Sequence, residues 1–143
     1  MFIKQLSVFV ENTHGRLAEI TKTIAKAGID IRALSISDTT EFGILRLVVD
    51  KPYDAEKTLK DAGLTVSLTD VIAVGVPDKT GGFAETICAI ADEEVGVEYM
   101  YTFLSKERNK TYLIMRVLDT AKAIDALTKN GYEILSEDGV INA

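Results

Sequence analysis

Residues 2–10, Phe-Ile-Lys-Gln-Leu-Ser-Val-Phe-Val, are β-rich and partly alternating, which predicts a strand. Residues 16–27 carry Leu17, Ile20, Ile24 and Ala27 at the spacing of an amphipathic helix. Gly28 follows, where a helix C-cap of positive φ suits glycine. Strands are then expected over 31–37 and 43–50, with a turn across 39–42. A short helix over 54–62 turns Ala55, Leu59 and Ala62 inward and stops at Gly63, and 64–69 reads as a last strand. The second half repeats the order: strand 71–76, helix 82–94, strands 97–104 and 111–118, helix 121–130, strand 132–136. Its hairpin tip falls at 107–110.

The halves also match residue by residue. Gly15-Arg16-Leu17-Ala18-Glu19 returns 66 positions on as Gly81-Gly82-Phe83-Ala84-Glu85. Leu6-Ser7-Val8-Phe9-Val10 returns as Ile72-Ala73-Val74-Gly75-Val76 at the same offset. Gly28-Ile29-Asp30-Ile31 aligns with Gly96-Val97-Glu98-Tyr99, and Ala62-Gly63-Leu64 with Asn130-Gly131-Tyr132, both at offset 68. This predicts an internal duplication, with two residues inserted in the first helix of the second half.

The element order is that of the ferredoxin-like split β-α-β arrangement. The fold class expected is therefore α+β: two ferredoxin-like βαββαβ domains in tandem, over 1–69 and 70–143, each an antiparallel sheet with helices on one face. The other sheet face is expected to be bare and to need a partner, which predicts a homodimer. At offset 68, Ile31, Ala33 and Ser35 stand opposite Tyr99, Tyr101 and Phe103, small groups against large. Either the two bare faces meet with complementary sizes, or the aromatics fill their own core; alternation alone leaves the inward face open.

Composition narrows the function. The chain has 143 residues, 47% hydrophobic and 27% charged, an ordinary globular balance. Units of about 70 residues bury a modest share of their surface and are expected to pack on one another or on another copy. A net charge of −6 without a Lys/Arg stripe argues against nucleic-acid binding. No apolar run is long enough to span a bilayer, and residues 1–6 lack the features of a secretory signal. Cys88 is the sole cysteine, so no internal disulfide can form; all of this suits the cytoplasm.

His14 is the only histidine, so a metal cluster with Cys88 has too few ligands, and no Gly-rich nucleotide-binding string is present. The two lie in different halves; catalysis is not expected, and Cys88 reads as packing filler. The loop Glu11-Asn12-Thr13-His14-Gly15-Arg16 matters more, because the unpaired N–H groups of the first helix point at it. Such a terminus favours a carboxylate, and Gly15 allows close backbone approach. Asp78-Lys79-Thr80-Gly81-Gly82 takes the same place in the second half. Local capping by Asn, Asp or Thr is the competing explanation and stays open at this stage.

Val10-Glu11-Asn12-Thr13-His14-Gly15-Arg16-Leu17-Ala18-Glu19-Ile20, followed by Ala27-Gly28-Ile29-Asp30-Ile31, resembles the ACT domain, an amino-acid-sensing module of biosynthetic enzymes. Through Ser35-Ile36-Ser37 and Thr39-Thr40-Glu41 the first repeat is similar to the regulatory subunit of acetohydroxyacid synthase. The resemblance implies an amino-acid effector held by the loop before the first helix of one module and the second strand of its neighbour. It nominates Asn12, His14, Gly15, Arg16 and Leu17 in the first repeat, and Asp78, Thr80, Gly81, Gly82 and Phe83 in the second. Asn12 would hydrogen-bond the ligand, the amides from Gly15 to Leu17 would take its carboxylate, and Asp78 could pair with an ammonium. The expectation is a non-catalytic, cofactor-free amino-acid sensor whose partners are a free amino acid, a second copy and a separate biosynthetic enzyme. The alternatives are a regulatory subunit of an acetolactate synthase-type enzyme and a ligand-free protein-interaction module.

Overall fold

A computed structural model describes residues 2–11, 13–38, 41–106 and 110–142. The chain separates into two compact units, one of Lys4–Thr69 and one of Met1–Ile3 with Asp70–Ala143. The first contains β1 (Ile3–Glu11), α1 (Arg16–Lys26), β2 (Ile31–Asp38), β3 (Phe42–Val49) and α2 (Pro52–Asp61). The strand β4 (Thr65–Pro77) crosses the unit boundary, and α3 (Gly82–Ala91), β5 (Val97–Leu104), β6 (Lys110–Val117), α4 (Thr120–Lys129) and α5 (Glu137–Asn142) follow. The hydrogen-bonded order is β2-β3-β1 in the first unit and β4-β6-β5 in the second.

Alternation decides which side chains meet the helices. In the first unit Leu6, Val8 and Val10 of β1 and Leu45, Leu47 and Val49 of β3 pack with Ile20, Ile24, Ala55 and Leu59. In the second, Ile72, Val74 and Val76 pack with Leu113, Met115, Val117, Ile90, Ala123 and Leu127. Each fully buried Leu or Ile contributes roughly 1.5–3 kcal/mol of transfer free energy, so these stripes hold the α+β units together.

Several expectations are corrected. The strands expected at 64–69 and 71–76 are one continuous strand, because nothing between Leu68 and Val71 breaks the extended backbone. The helix α2 starts earlier than expected, with Pro52 in its first turn, where its missing N–H costs nothing. Leu17, Ala27 and Ala62 are exposed; α1 and α2 bury narrower stripes, centred on Ile20 and Ile24 and on Ala55 and Leu59. Only a bridge between Val74 and Ile134 forms where a strand was expected at 132–136, and an unanticipated α5 follows it. Of the turn residues, 39–40 and 107–109 lie outside the described residues, while Phe42 and Lys110 already begin strands.

The inserted residues are not in a helix. The turn bonds Gly28 N–H to Ala25 O and Ile29 N–H to Ile24 O recur as Glu94 to Ala91 and Val95 to Ile90, so the offset is still 66 there. Glu94, at φ 59°, is the counterpart of Gly28, at φ 73°; Gly96 is not. The same register irregularity falls at Ile31/Ala33 and at Val97/Tyr99. The offset becomes 68 only after the β5–β6 hairpin, since Val49 pairs with Ile31 as Val117 pairs with Val97. The small-against-large comparison therefore shifts too: Ala33, Ser35 and Ser37 correspond to Tyr99, Tyr101 and Phe103.

The sheet face away from the helices is not bare throughout. Register places Ala33 and Val48 there in the first unit and Ala73, Tyr112 and Ile114 in the second, and all are buried. Phe103 stacks on Tyr112 within its own unit, with ring centroids 5.2 Å apart. Cys88 is exposed on α3 and is not packing filler, because the buried face of that helix is Gly82, Thr86 and Ile90.

Candidate functional site

Both loops that enter the first helix of a unit have one geometry. Thr13 N–H donates to Glu11 O at 2.8 Å and Arg16 N–H to Thr13 O at 3.2 Å. Lys79 N–H donates to Pro77 O at 2.9 Å and Gly82 N–H to Lys79 O at 3.0 Å. Gly15 and Gly81 occupy the N-cap positions with φ 81° and 83°, a left-handed conformation that glycine adopts without steric penalty. This tight turn takes up the amides of Arg16 and Gly82 and leaves the amides that follow, from Leu17 and Phe83 on, at the helix start.

Those amides are uncapped. Among the described residues, no side chain accepts from the first turn of α1 or α3. By contrast, α4 is capped by Asp119, whose Oδ1 accepts from Lys122 N–H at 3.1 Å. The capping explanation thus finds no support at Thr13, Asp78 or Thr80. An uncapped helix start carries a partial positive charge and free donors, which together suit a carboxylate.

In the first unit a cavity of about 140 Å³ lies beside this helix start. Val10, Glu11, Thr13, Arg16 and Leu17 line it with Ile36 of β2 and Gly43 of β3. Register explains the convergence: Gly43 sits opposite Val10 and neighbours the Ile36 strand. A Cβ at Gly43 would lie 3.3 Å from Ser37 O and 3.8 Å from Ile36 Cδ1 and Cγ1, so glycine keeps this edge of the cavity clear of a side chain. Arg16 is half-buried, and its Nη1 reaches Glu19 Oε2 at 3.0 Å.

Of the nominated residues, Arg16 and Leu17 line this cavity. His14 and Gly15 are exposed beside it and do not line it, and Asn12 lies outside the described residues. In the second repeat Asp78, Thr80, Gly81 and Phe83 are exposed, whereas Gly82 is buried against Pro77. There the position opposite Val76 is Thr111, where the first unit has Gly43 opposite Val10. Sequence reasoning missed Val10, Glu11, Thr13, Ile36 and Gly43; Glu11 and Thr13 lie inside the loop it singled out, while Gly43 needed the strand register.

Residues 1–142 match the family described as the ACT domain pair. This chain belongs to that family. ACT domain pairs are non-catalytic regulatory modules, and this chain is one such regulatory, sensor-type module. A solved Bacteroides thetaiotaomicron protein is 36% identical over 100% of this chain and 98% of its own, with a TM-score of 0.93. The regulatory subunit of aspartate kinase from Thermus thermophilus, in its ligand-free form, is 16% identical over 90% of this chain and 92% of its own, with a TM-score of 0.66. The corresponding subunit from Thermus flavus is 15% identical over 88% and 90%, with a TM-score of 0.62, so these two share the fold. No curated protein matches. No described helix is long and apolar enough to cross a membrane.

Proposed function

We propose that the ACT pair binds a free amino acid at the α1 start of its first repeat and transmits that occupancy to a separate amino-acid biosynthetic enzyme. The supporting observation is the cavity at an uncapped helix start, lined by Glu11, Thr13, Arg16, Leu17 and Ile36. The amides of Leu17 and Ala18 receive the effector carboxylate, since Arg16 N–H is already given to Thr13 O; Glu11 pairs with its ammonium, and Leu17 and Ile36 contact its side chain. Asn12 adds a donor and acceptor from the same loop. The second repeat keeps the loop geometry, but Thr111 stands where Gly43 leaves space and Phe83 where Leu17 stands, so it binds more weakly.

The likeness to aspartate kinase regulatory subunits supports an enzyme partner of that kind. The resemblance of Ser35-Ile36-Ser37 to the acetohydroxyacid synthase subunit keeps a branched-chain effector among those to be screened. The protein works as a homodimer in the cytoplasm.

The test is a thermal-shift screen against the twenty amino acids at millimolar concentration, run on the wild type and on Gly15→Val. A ligand at 100 times its Kd stabilises by about 2.7 kcal/mol, a shift of several degrees. The expected result is a selective hit that Gly15→Val abolishes, since a β-branched residue cannot hold φ 81° without strain. Twenty flat responses from folded wild type would contradict this reading and favour a ligand-free interaction module.

A further inference from the structure

The cavity beside the α1 start has a polar end and an apolar end. Glu11, Thr13 and Arg16 line the first, and Val10, Leu17 and Ile36 line the second together with Gly43. Strand order sets Gly43 in the middle of that apolar end. Val10 lies directly opposite it on β1. Ile36 is its diagonal neighbour on β2, because Ile36 pairs with Leu45, two residues further along β3. All three share the sheet face of Leu45, which meets the helices. Val10 and Ile36 therefore stand on strands about 10 Å apart with no side chain between them. The result is a trench one side chain wide, floored by the buried backbone of Gly43.

Volume and charge limit what enters. The cavity measures about 140 Å³. A void of about 150 Å³ takes one benzene-sized molecule. The ammonium and carboxylate of an amino acid use part of that space at the polar end, so a side chain of about three carbons fills the rest. The apolar end offers no counter-charge, since Arg16 Nη1 is held by Glu19 Oε2 at 3.0 Å and Glu11 is assigned to the ammonium. The second repeat makes the opposite choice at both trench positions. Thr111 replaces Gly43 on the middle strand, and Thr102 replaces Ile36 on the edge strand.

We propose that the effector is a neutral amino acid whose side chain is aliphatic and no larger than that of valine, and that Gly43 sets this limit. The inference rests on the amino-acid reading of the α1 site above and narrows it: leucine, isoleucine and the aromatic amino acids are excluded by size, the acidic and basic ones by charge. Gly43 is the specificity position because a Cβ there would sit between Ser37 O and the Ile36 side chain, at 3.3 and 3.8 Å, and narrow the trench. Each carbon added to the effector raises affinity about fourfold while room lasts. Overfilling then reverses the trend.

Isothermal titration calorimetry of the full chain with alanine, 2-aminobutyrate, valine, leucine, phenylalanine and glutamate tests it. Wild type, Gly43→Ala and Ile36→Ala are compared, with ligand-free melts to show that each variant is folded. Wild-type affinity is expected to rise about fourfold per carbon from alanine to valine and to fall at least about tenfold from valine to leucine. Gly43→Ala lowers the valine-to-alanine affinity ratio at least about tenfold. Ile36→Ala raises the leucine-to-valine ratio by a similar factor, and it keeps the test open if Gly43→Ala does not fold, because Ile36 is exposed and its truncation spares the core. Tightest binding of a larger or charged amino acid, abolished by Gly15→Val, overturns the size limit and leaves the amino-acid site standing. Affinity ratios that neither variant moves do the same. A folded wild type that binds none of the twenty amino acids overturns both this inference and the reading it rests on.

Discussion

Gly82→Ala probes the geometry that places the second helix start. A Cβ on Gly82 would lie 2.3 Å from Pro77 O, 3.5 Å from Pro77 C and 3.5 Å from Val76 Cγ1. The obstructing oxygen is backbone and already accepts from Lys79 N–H at 2.9 Å, so it cannot rotate away as a side chain would. Either the end of β4 or the start of α3 must move. Overpacking of this kind costs roughly 1–3 kcal/mol, and an approach of 2.3 Å to a backbone atom belongs in the upper half of that range. The smaller unfolded-state entropy of alanine offsets about 0.4–1 kcal/mol of that. In thermal melts followed by circular dichroism the net effect is a Tm lowered by about 3–10 °C. Gly81→Ala is the matched control: no atom lies within 4 Å of its Cβ, so only the φ of 83° opposes it, at about 1 kcal/mol. A Gly82→Ala variant melting within about 1 °C of wild type, or a Gly81→Ala variant that loses more, would refute the reasoning.

Glu94 holds a left-handed conformation that its counterpart Gly28 adopts freely. Glu94→Gly is therefore expected to stabilise by up to about 1 kcal/mol, read as a Tm raised by a few degrees, whereas Gly28→Ala lowers it by a similar amount. The side-chain cap of α4 makes the opposite point. Asp119→Ala removes the acceptor for Lys122 N–H and is expected to cost about 1 kcal/mol in urea unfolding.

The duplication and the α+β element order were legible because buried positions recur with helical and strand periods: Ile20 and Ile24 in α1, Leu6, Val8 and Val10 in β1. The insertion was misplaced because Gly96 looks like Gly28. A left-handed residue is recognised in sequence by being glycine, and here a glutamate takes that conformation. The merging of two strands into β4 left no turn residue to read in or out. Cys88 reads as packing in the sequence because an apolar residue on a helix normally points inward; its exposure shows only once Gly82, Thr86 and Ile90 are seen to face the core. For the site, the loop Glu11 to Leu17 was visible as a motif. Ile36 and Gly43 were not, since their place beside Val10 depends on hairpin register, which one sequence does not specify.

The most direct measurement is a titration of ¹⁵N-labelled protein with the amino acid that shifts its melting most, followed amide by amide. Saturable shifts are expected at Gly15, Arg16, Leu17 and Ala18, with smaller ones at Ile36 and Gly43 and a weaker response at Gly81 to Ala84. Saturable shifts confined to other parts of the chain, with the α1 start unmoved, would contradict it.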